Sequence, residues 1–329
     1  MKNKYLFIVL AVLLISCGKE NTTPIDESYC SPQETGPTIP PYDRVGFGYK
    51  YVNISENNSY YPCVNPLNPN EFVYVLSYAE RSGLYKYDIL SKTSTQILKF
   101  VPNNYIAYPS TYVRWSRKGW LIFIDLYNNV YKIKDNGDSL TQLTFKGNDW
   151  NPEWNKEGTL FCTHHYSASI KKHFNIIRNE QGKEVDTIKY DDNSEVFSAP
   201  PSWNNERYIL GTNDKGLILY DYKNKIIKEI PINSEYNPSY PSWINDNEFI
   251  YSRINGIFIY NVINNKVKQI RSNPNSNHYS FVNLLPNNQM ICEKNYSTLV
   301  DSVNAVIAGK FNICLLNPCD TIVTDFDLK

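Results

Sequence analysis

The sequence predicts an all-β protein, a six-bladed β-propeller built from four-stranded antiparallel blades. Three observations predict it. A proline or aromatic residue leads six times into a short polar turn and then an apolar strand. Four tryptophans, Trp115, Trp154, Trp203 and Trp243, recur at spacings of 39, 49 and 40 residues, and Pro66 and Leu284 take the same place in two degenerate copies. The apolar residues between these marks alternate as strands do, with no helical periodicity. A repeat of roughly 40 to 50 residues containing four strands is a propeller blade.

Before the first blade comes a leader. Met1-Lys-Asn-Lys is basic, and Tyr5 to Ile15 is an apolar run too short to span a bilayer as a mature helix. The run ends in Leu14-Ile15-Ser16-Cys17, which resembles the lipobox of bacterial lipoproteins. The resemblance implies a signal peptide over 1–16, cleavage before Cys17 and a diacylglycerol thioether on its sulfur. Gly18 follows, with no aspartate to hold the protein at an inner membrane, and Lys19-Glu20 is similar to charged tags that send lipoproteins to the cell surface. The expected location is the outer membrane of a Gram-negative, Bacteroidetes-type cell, facing the periplasm or the outside. Residues 17–41, rich in Thr, Pro, Ser and Glu, cannot bury a core and read as a flexible tether, leaving 42–329 for the propeller.

Asp43-Arg-Val-Gly-Phe-Gly-Tyr-Lys-Tyr-Val is expected to add an edge strand that helps lock the ring. The second strands follow the turns: Glu71-Phe-Val-Tyr-Val, Trp120-Leu-Ile-Phe-Ile, Thr159-Leu-Phe-Cys-Thr, Tyr208-Ile-Leu-Gly, Phe249-Ile-Tyr-Ser and Gln289-Met-Ile-Cys-Glu. Third strands such as Gly83-Leu-Tyr-Lys-Tyr-Asp and Gly256-Ile-Phe-Ile-Tyr-Asn, and polar fourth strands such as Thr95-Gln-Ile-Leu, complete the units. The order from Thr141-Gln-Leu-Thr-Phe through Asn151-Pro-Glu-Trp-Asn-Lys-Glu-Gly resembles the PD40, or WD40-like, repeat of TolB-type propellers. The likeness covers about residues 60 to 325, and the family's six blades match the six units here. Its usual turn stands as Ser116-Arg-Lys-Gly, Asn155-Lys-Glu-Gly, Asn204-Asn-Glu-Arg and Ile244-Asn-Asp-Asn. The resemblance implies membership of an envelope protein complex without naming the partner.

Lysine plus arginine equals aspartate plus glutamate at 33 each, so no global field draws phosphate backbones, and nucleic acid is not an expected partner. The 27 tyrosines suit sugar stacking, and they equally suit strands. Beyond Cys17 there remain Cys30, Cys63, Cys162, Cys292, Cys314 and Cys319. An even number in an exported chain permits disulfides. Cys314 and Cys319 flank a turn and are one candidate pair; Cys30 with Cys63 or Cys319 is another. Cys162 and Cys292 alternate with apolar neighbours and read as buried thiols. No CxxC occurs, and neither a metal site nor a cofactor is expected.

Function in propellers sits at the channel mouth. Five residues before each tryptophan position stand Tyr61, Ser110, Asp149, Ser198, Pro238 and Tyr279. With Trp150 and His278 they form the candidate ring for a polar ligand, a glycan or a peptide strand, and Asp149 is its one carboxylate. An enzymatic alternative, a glycan-degrading lyase or hydrolase, rests on His164, His165, His173 and His278. Strand alternation sends His164 and His165 to opposite faces, so only one of them can serve a given site. No Gly-x-Ser-x-Gly elbow is present. Asp138-Ser-Leu, Asp186-Thr-Ile, Asp301-Ser-Val and Asp320-Thr-Ile resemble the Bacteroidetes O-glycosylation signal.

Overall fold

A computed structural model describes residues 50–53, 58–77, 81–100, 112–188, 201–204, 207–213, 216–230, 239–253, 256–272, 278–287, 289–301, 306–316 and 323–325. The expected signal peptide over 1–16, Cys17, the expected tether with Cys30, and Cys319, Ser110, Ser198 and Pro238 lie outside them. Five four-stranded sheets and one five-stranded sheet follow one another along the chain, antiparallel throughout except for one strand. No α-helix occurs among the described residues. The fold is the six-bladed propeller that the repeat predicts.

Each blade starts with its inner strand: Asn58–Val64, Arg114–Trp115, Asp149–Trp154, Ser202–Asn204, Ser239–Trp243 and His278–Leu284. Neighbouring inner strands touch around the ring, including the last against the first. The second strands are buried on both faces, as in Glu71–Ser77, because a blade is sandwiched by a neighbour on either side. Six apolar clusters result, one in each seam. Trp115 fills the seam between blades one and two, Trp154 that between two and three, and Trp203 that between three and four. Phe72 and Tyr74 meet Ile291 and Ile313 where the sixth blade closes on the first.

The polar turns hold the blades in register. In the third blade Asn155 Oδ1 accepts from the amides of Thr159 and Leu160, and Gly158 takes φ 66°. A Cβ on Gly158 would stand 2.6 Å from Ser116 Cβ of the neighbouring blade, so glycine is required by both backbone and space. Of the Asp-Ser/Thr-apolar tripeptides, Ser139 lies on an exposed turn and Thr187 is half-buried in the strand Glu184–Ile188.

The sixth blade differs. Its central hairpin, Met290–Asp301 with Val306–Leu316, is longer than the others. On the outer edge of Val306–Leu316 lie two strands: Lys50–Asn53, parallel, and Val323–Asp325, antiparallel. The expected edge strand is therefore present at its C-terminal end, and residues 43–49 lie outside the described set. Hydrogen bonds across the closing seam include Ile313 N–H to Ser59 Oγ at 3.1 Å, Asn283 Nδ2 to the Pro62 carbonyl at 3.0 Å, and Tyr61 N–H to Glu293 Oε2 at 3.0 Å.

Candidate functional site: the inner ring and the third blade

The inner strands share a defect that explains the Pro-x-Trp repeat. Register breaks between Tyr60 and Cys63, Trp150 and Glu153, Ser239 and Ser242, and Ser280 and Asn283. The extra residue of each bulge is left-handed: Tyr61 at φ 58°, Asn151 at 51°, Tyr240 at 51° and Phe281 at 53°. Bulky residues are uncommon there and are held by their surroundings. Proline follows three of the four, at Pro62, Pro152 and Pro241, where the bulge has no ladder acceptor for an N–H that proline does not possess.

The bulge positions converge on the axis. Tyr240 and Phe281 stack with centroids 3.9 Å apart, and Tyr112 of the second blade lies 4.8 Å from Phe281 and 5.6 Å from Tyr240. Tyr61 closes the group at 5.0 Å from Tyr112 and 5.2 Å from Phe281. Rings from four blades thus plug the centre. The Tyr112 and Tyr240 hydroxyls share a hydrogen bond, and burial raises both their pKa values and that of Tyr61, keeping all three neutral. Beside the plug Arg114 and Glu153 form a nearly buried ion pair at 2.5 Å between blades two and three. Burial alone would lower the Arg114 pKa; the Glu153 charge and hydrogen bond overcome it.

These positions correct the register of the expected ring. The first-blade bulge puts Val64, not Pro66, in the tryptophan place, so the axial residue stands three before it, not five. Tyr61 is axial for that reason. Asp149 and Tyr279, five before, are turned away from the axis, because the bulge reverses the alternation between them and it. Tyr279, 2% exposed, packs with Ile250, Ile257 and Cys292 between blades five and six. Asp149, 1% exposed, lies inside the third blade. His278 opens the inner strand of the sixth blade, whereas the other three histidines lie on strands of the third.

Around Asp149 the third blade assembles a polar network. Its Oδ1 accepts from Thr163 Oγ1 at 3.2 Å, His165 Nδ1 at 3.0 Å and Arg178 Nη1 at 3.1 Å. Strand pairing sets this up: Asp149 faces His165, and Arg178 comes from the next strand, Lys172–Asn179. Burial pushes the Asp149 carboxyl up, but the His165 hydrogen bond and the Arg178 guanidinium overcome it and hold the pKa below the usual value. The Asp149 carboxylate on Nδ1 fixes the orientation of the His165 ring. On the opposite face His164 Nε2 lies 2.8 Å from His173 Nδ1, with the half-buried Trp150 edge-on at 5.8 Å. Burial, then the neighbouring His173 and His165, bring His164 down to about 4, so it stays neutral. The two adjacent histidines therefore part as alternation requires. Among the described residues no three His, Cys, Asp or Glu side chains are set to hold a metal ion.

Sequence reasoning passed over Arg114, Glu153, Arg178 and Glu293. The first two carried a signal: residues of opposite charge stand directly before tryptophan in Val113-Arg114-Trp115 and Pro152-Glu153-Trp154, inside otherwise apolar seams.

No protein-family model matches the chain, and no curated protein matches it. Solved structures do. A putative TolB from Agrobacterium tumefaciens superposes with a TM-score of 0.54 at 12% identity, over 73% of this chain and 86% of that one. TolB from Acinetobacter baumannii gives 0.53 at 12% identity, over 82% and 63%. An oligogalacturonate lyase solved with manganese gives 0.53 at 10% identity, over 81% and 76%. At these identities the likeness is one of fold, and the chain shares the TolB propeller fold with proteins of more than one chemistry.

Proposed function

We propose that this chain is a lipid-anchored propeller of the bacterial cell envelope that binds a protein partner or a ligand and does no chemistry of its own. The observation that carries the reading is the axial plug. Four aromatic rings fill the centre, with the Arg114–Glu153 ion pair beside them, so contacts with other molecules fall on the faces of the ring. The face bearing the start of the third blade offers the half-buried Trp150 and the outward side of His165 to such a contact. The fold shared with TolB and the lipobox resemblance at Cys17 support this reading of an envelope location at the outer membrane.

The experiment is cross-linking in native membranes, followed by affinity purification of the lipoprotein and mass spectrometry. Cross-links from an envelope protein to residues 145–150 or 165–173 are expected, and they should weaken in Trp150→Ala. A chain that retains no envelope protein or glycan overturns the reading. Cys17→Ser should lose fatty-acid labelling and leave the membrane fraction; a parent protein that is unlabelled and soluble would remove the anchor.

The Asp149–His165 pair favours a second reading, a histidine-dependent glycan lyase or hydrolase. It expects polysaccharide cleavage that His165→Ala abolishes and His173→Ala leaves intact. Cleavage insensitive to His165→Ala would reject it.

A further inference from the structure

We propose that Cys292 and Cys314 form a disulfide that staples the central hairpin of the sixth blade. The two are direct partners in the antiparallel pairing of Met290–Asp301 with Val306–Leu316, and their sulfurs lie 3.4 Å apart. Opposed residues in such a ladder have Cα atoms about 4.5 to 5.5 Å apart, within the 4.4 to 6.8 Å a disulfide spans. Closing the sulfurs to the bonded distance of about 2.05 Å takes side-chain rotation and no rearrangement of the strands. Cys63 and Cys162 are buried in two different seams and cannot reach each other or this pair.

The chemistry is a thiol–disulfide exchange. A Cys thiolate attacks a disulfide-bearing oxidant, releasing one oxidant sulfur as a thiol and forming a mixed disulfide; the second cysteine attacks that mixed disulfide and displaces the other oxidant sulfur. The Cys292–Cys314 bond is made, two electrons and two protons pass to the oxidant, and a dithiol leaves. Both residues are fully buried among Ile250, Tyr279, Met290 and Leu316. Burial raises the Cys292 pKa, and the thiolate is the reactive form, so exchange belongs to the folding chain and the finished bond is shielded from reductant. The staple sits where it has most to hold, since this hairpin carries both Lys50–Asn53 and Val323–Asp325 on its outer edge.

The proposal rests on the exported location only for its source of oxidant, and the test separates the two. The full chain is denatured and reduced, refolded in a glutathione redox buffer, alkylated without reductant and digested with trypsin and chymotrypsin. Cleavage after Leu315 or Leu316 parts Cys314 from Cys319. A peptide linking Cys292 to Cys314, with Cys63 and Cys162 alkylated, supports the proposal; alkylation of both, or a bond from Cys314 to Cys319 or Cys30, overturns it. The same map on protein taken from cells reads the compartment. Refolding with reductant should lower the melting temperature of the parent by roughly 5 to 10 °C and leave the Cys292→Ala/Cys314→Ala double variant unmoved. Equal sensitivity of the two would overturn the staple.

Discussion

Asp149 shows what a single residue does here. Its carboxylate is the common acceptor for Thr163, His165 and Arg178, and the Arg178 side chain is only 4% exposed. Removing the carboxylate would leave that guanidinium with Glu184, whose side chain is 63% exposed. Asp149→Ala should therefore cost about 3 to 5 kcal/mol, the usual penalty for stranding one member of a buried pair. Urea unfolding measures it. The pH dependence has a definite sign. A carboxyl held below its unfolded value of about 3.9 stabilises above that pH and loses the contribution as pH falls through its folded pKa. The gap between variant and parent should be full near neutrality and narrow in acid; a gap that widens in acid would contradict the pairing. Asp149 was legible as the one carboxylate at its repeat position. Its partners were not, because Arg178 reaches it through a strand register that no spacing reveals.

At the scale of the element, the inner-strand bulge and the tryptophan after it carry the repeat. The sequence showed the blade count, the second and third strands and the polar turns, since each repeats a pattern of period two or a turn residue. It did not show that the proline marks a bulge, and one inserted residue moves a side chain from seam to axis. That is why Tyr61, Tyr112, Tyr240 and Phe281 were not recognised together. Their aromatic character looks ordinary in a strand, and only the left-handed backbone at three of them turns them inward. The tryptophan is better understood. Trp154, 2% exposed, packs on Phe161 and the strand Trp120–Ile124. Trp154→Ala should cost about 3 to 5 kcal/mol, the sum of lost transfer and residual cavity. Lys118→Ala, which removes the exposed pair with Glu180 across the same two blades, should cost under about 1 kcal/mol. Similar unfolding midpoints for the two variants would mean that rim charges, not the tryptophan wedge, hold adjacent blades together.

For the whole molecule the decisive element is the seam that turns a row of blades into a ring. Five seams join neighbours in sequence, while the sixth joins residues more than 200 positions apart and carries the full entropy of closure. One of its bonds ends on Glu293, which is 4% exposed and accepts from Tyr61 N–H and Ser280 Oγ, neither of them charged. Burial chiefly lifts its pKa from 4.5 to about 7, against the pull of those two donors. The folded chain therefore holds a proton there that the unfolded chain has released, and stability falls as pH rises through about 7, after being fully present below about 4.5. A shift of this size is worth about 3 kcal/mol. Glu153, also raised to about 7 chiefly by burial, slopes the same way, with Arg114 beside it opposing the shift. Glu293→Gln keeps the shape and an acceptor without the charge. It should flatten much of the decline between about pH 5 and pH 8 and unfold at higher urea than the parent at the alkaline end. Parallel pH profiles for parent and variant would show that the closing seam does not titrate at Glu293. A profile that rises with pH in the parent would show that it closes on an ionised carboxylate instead.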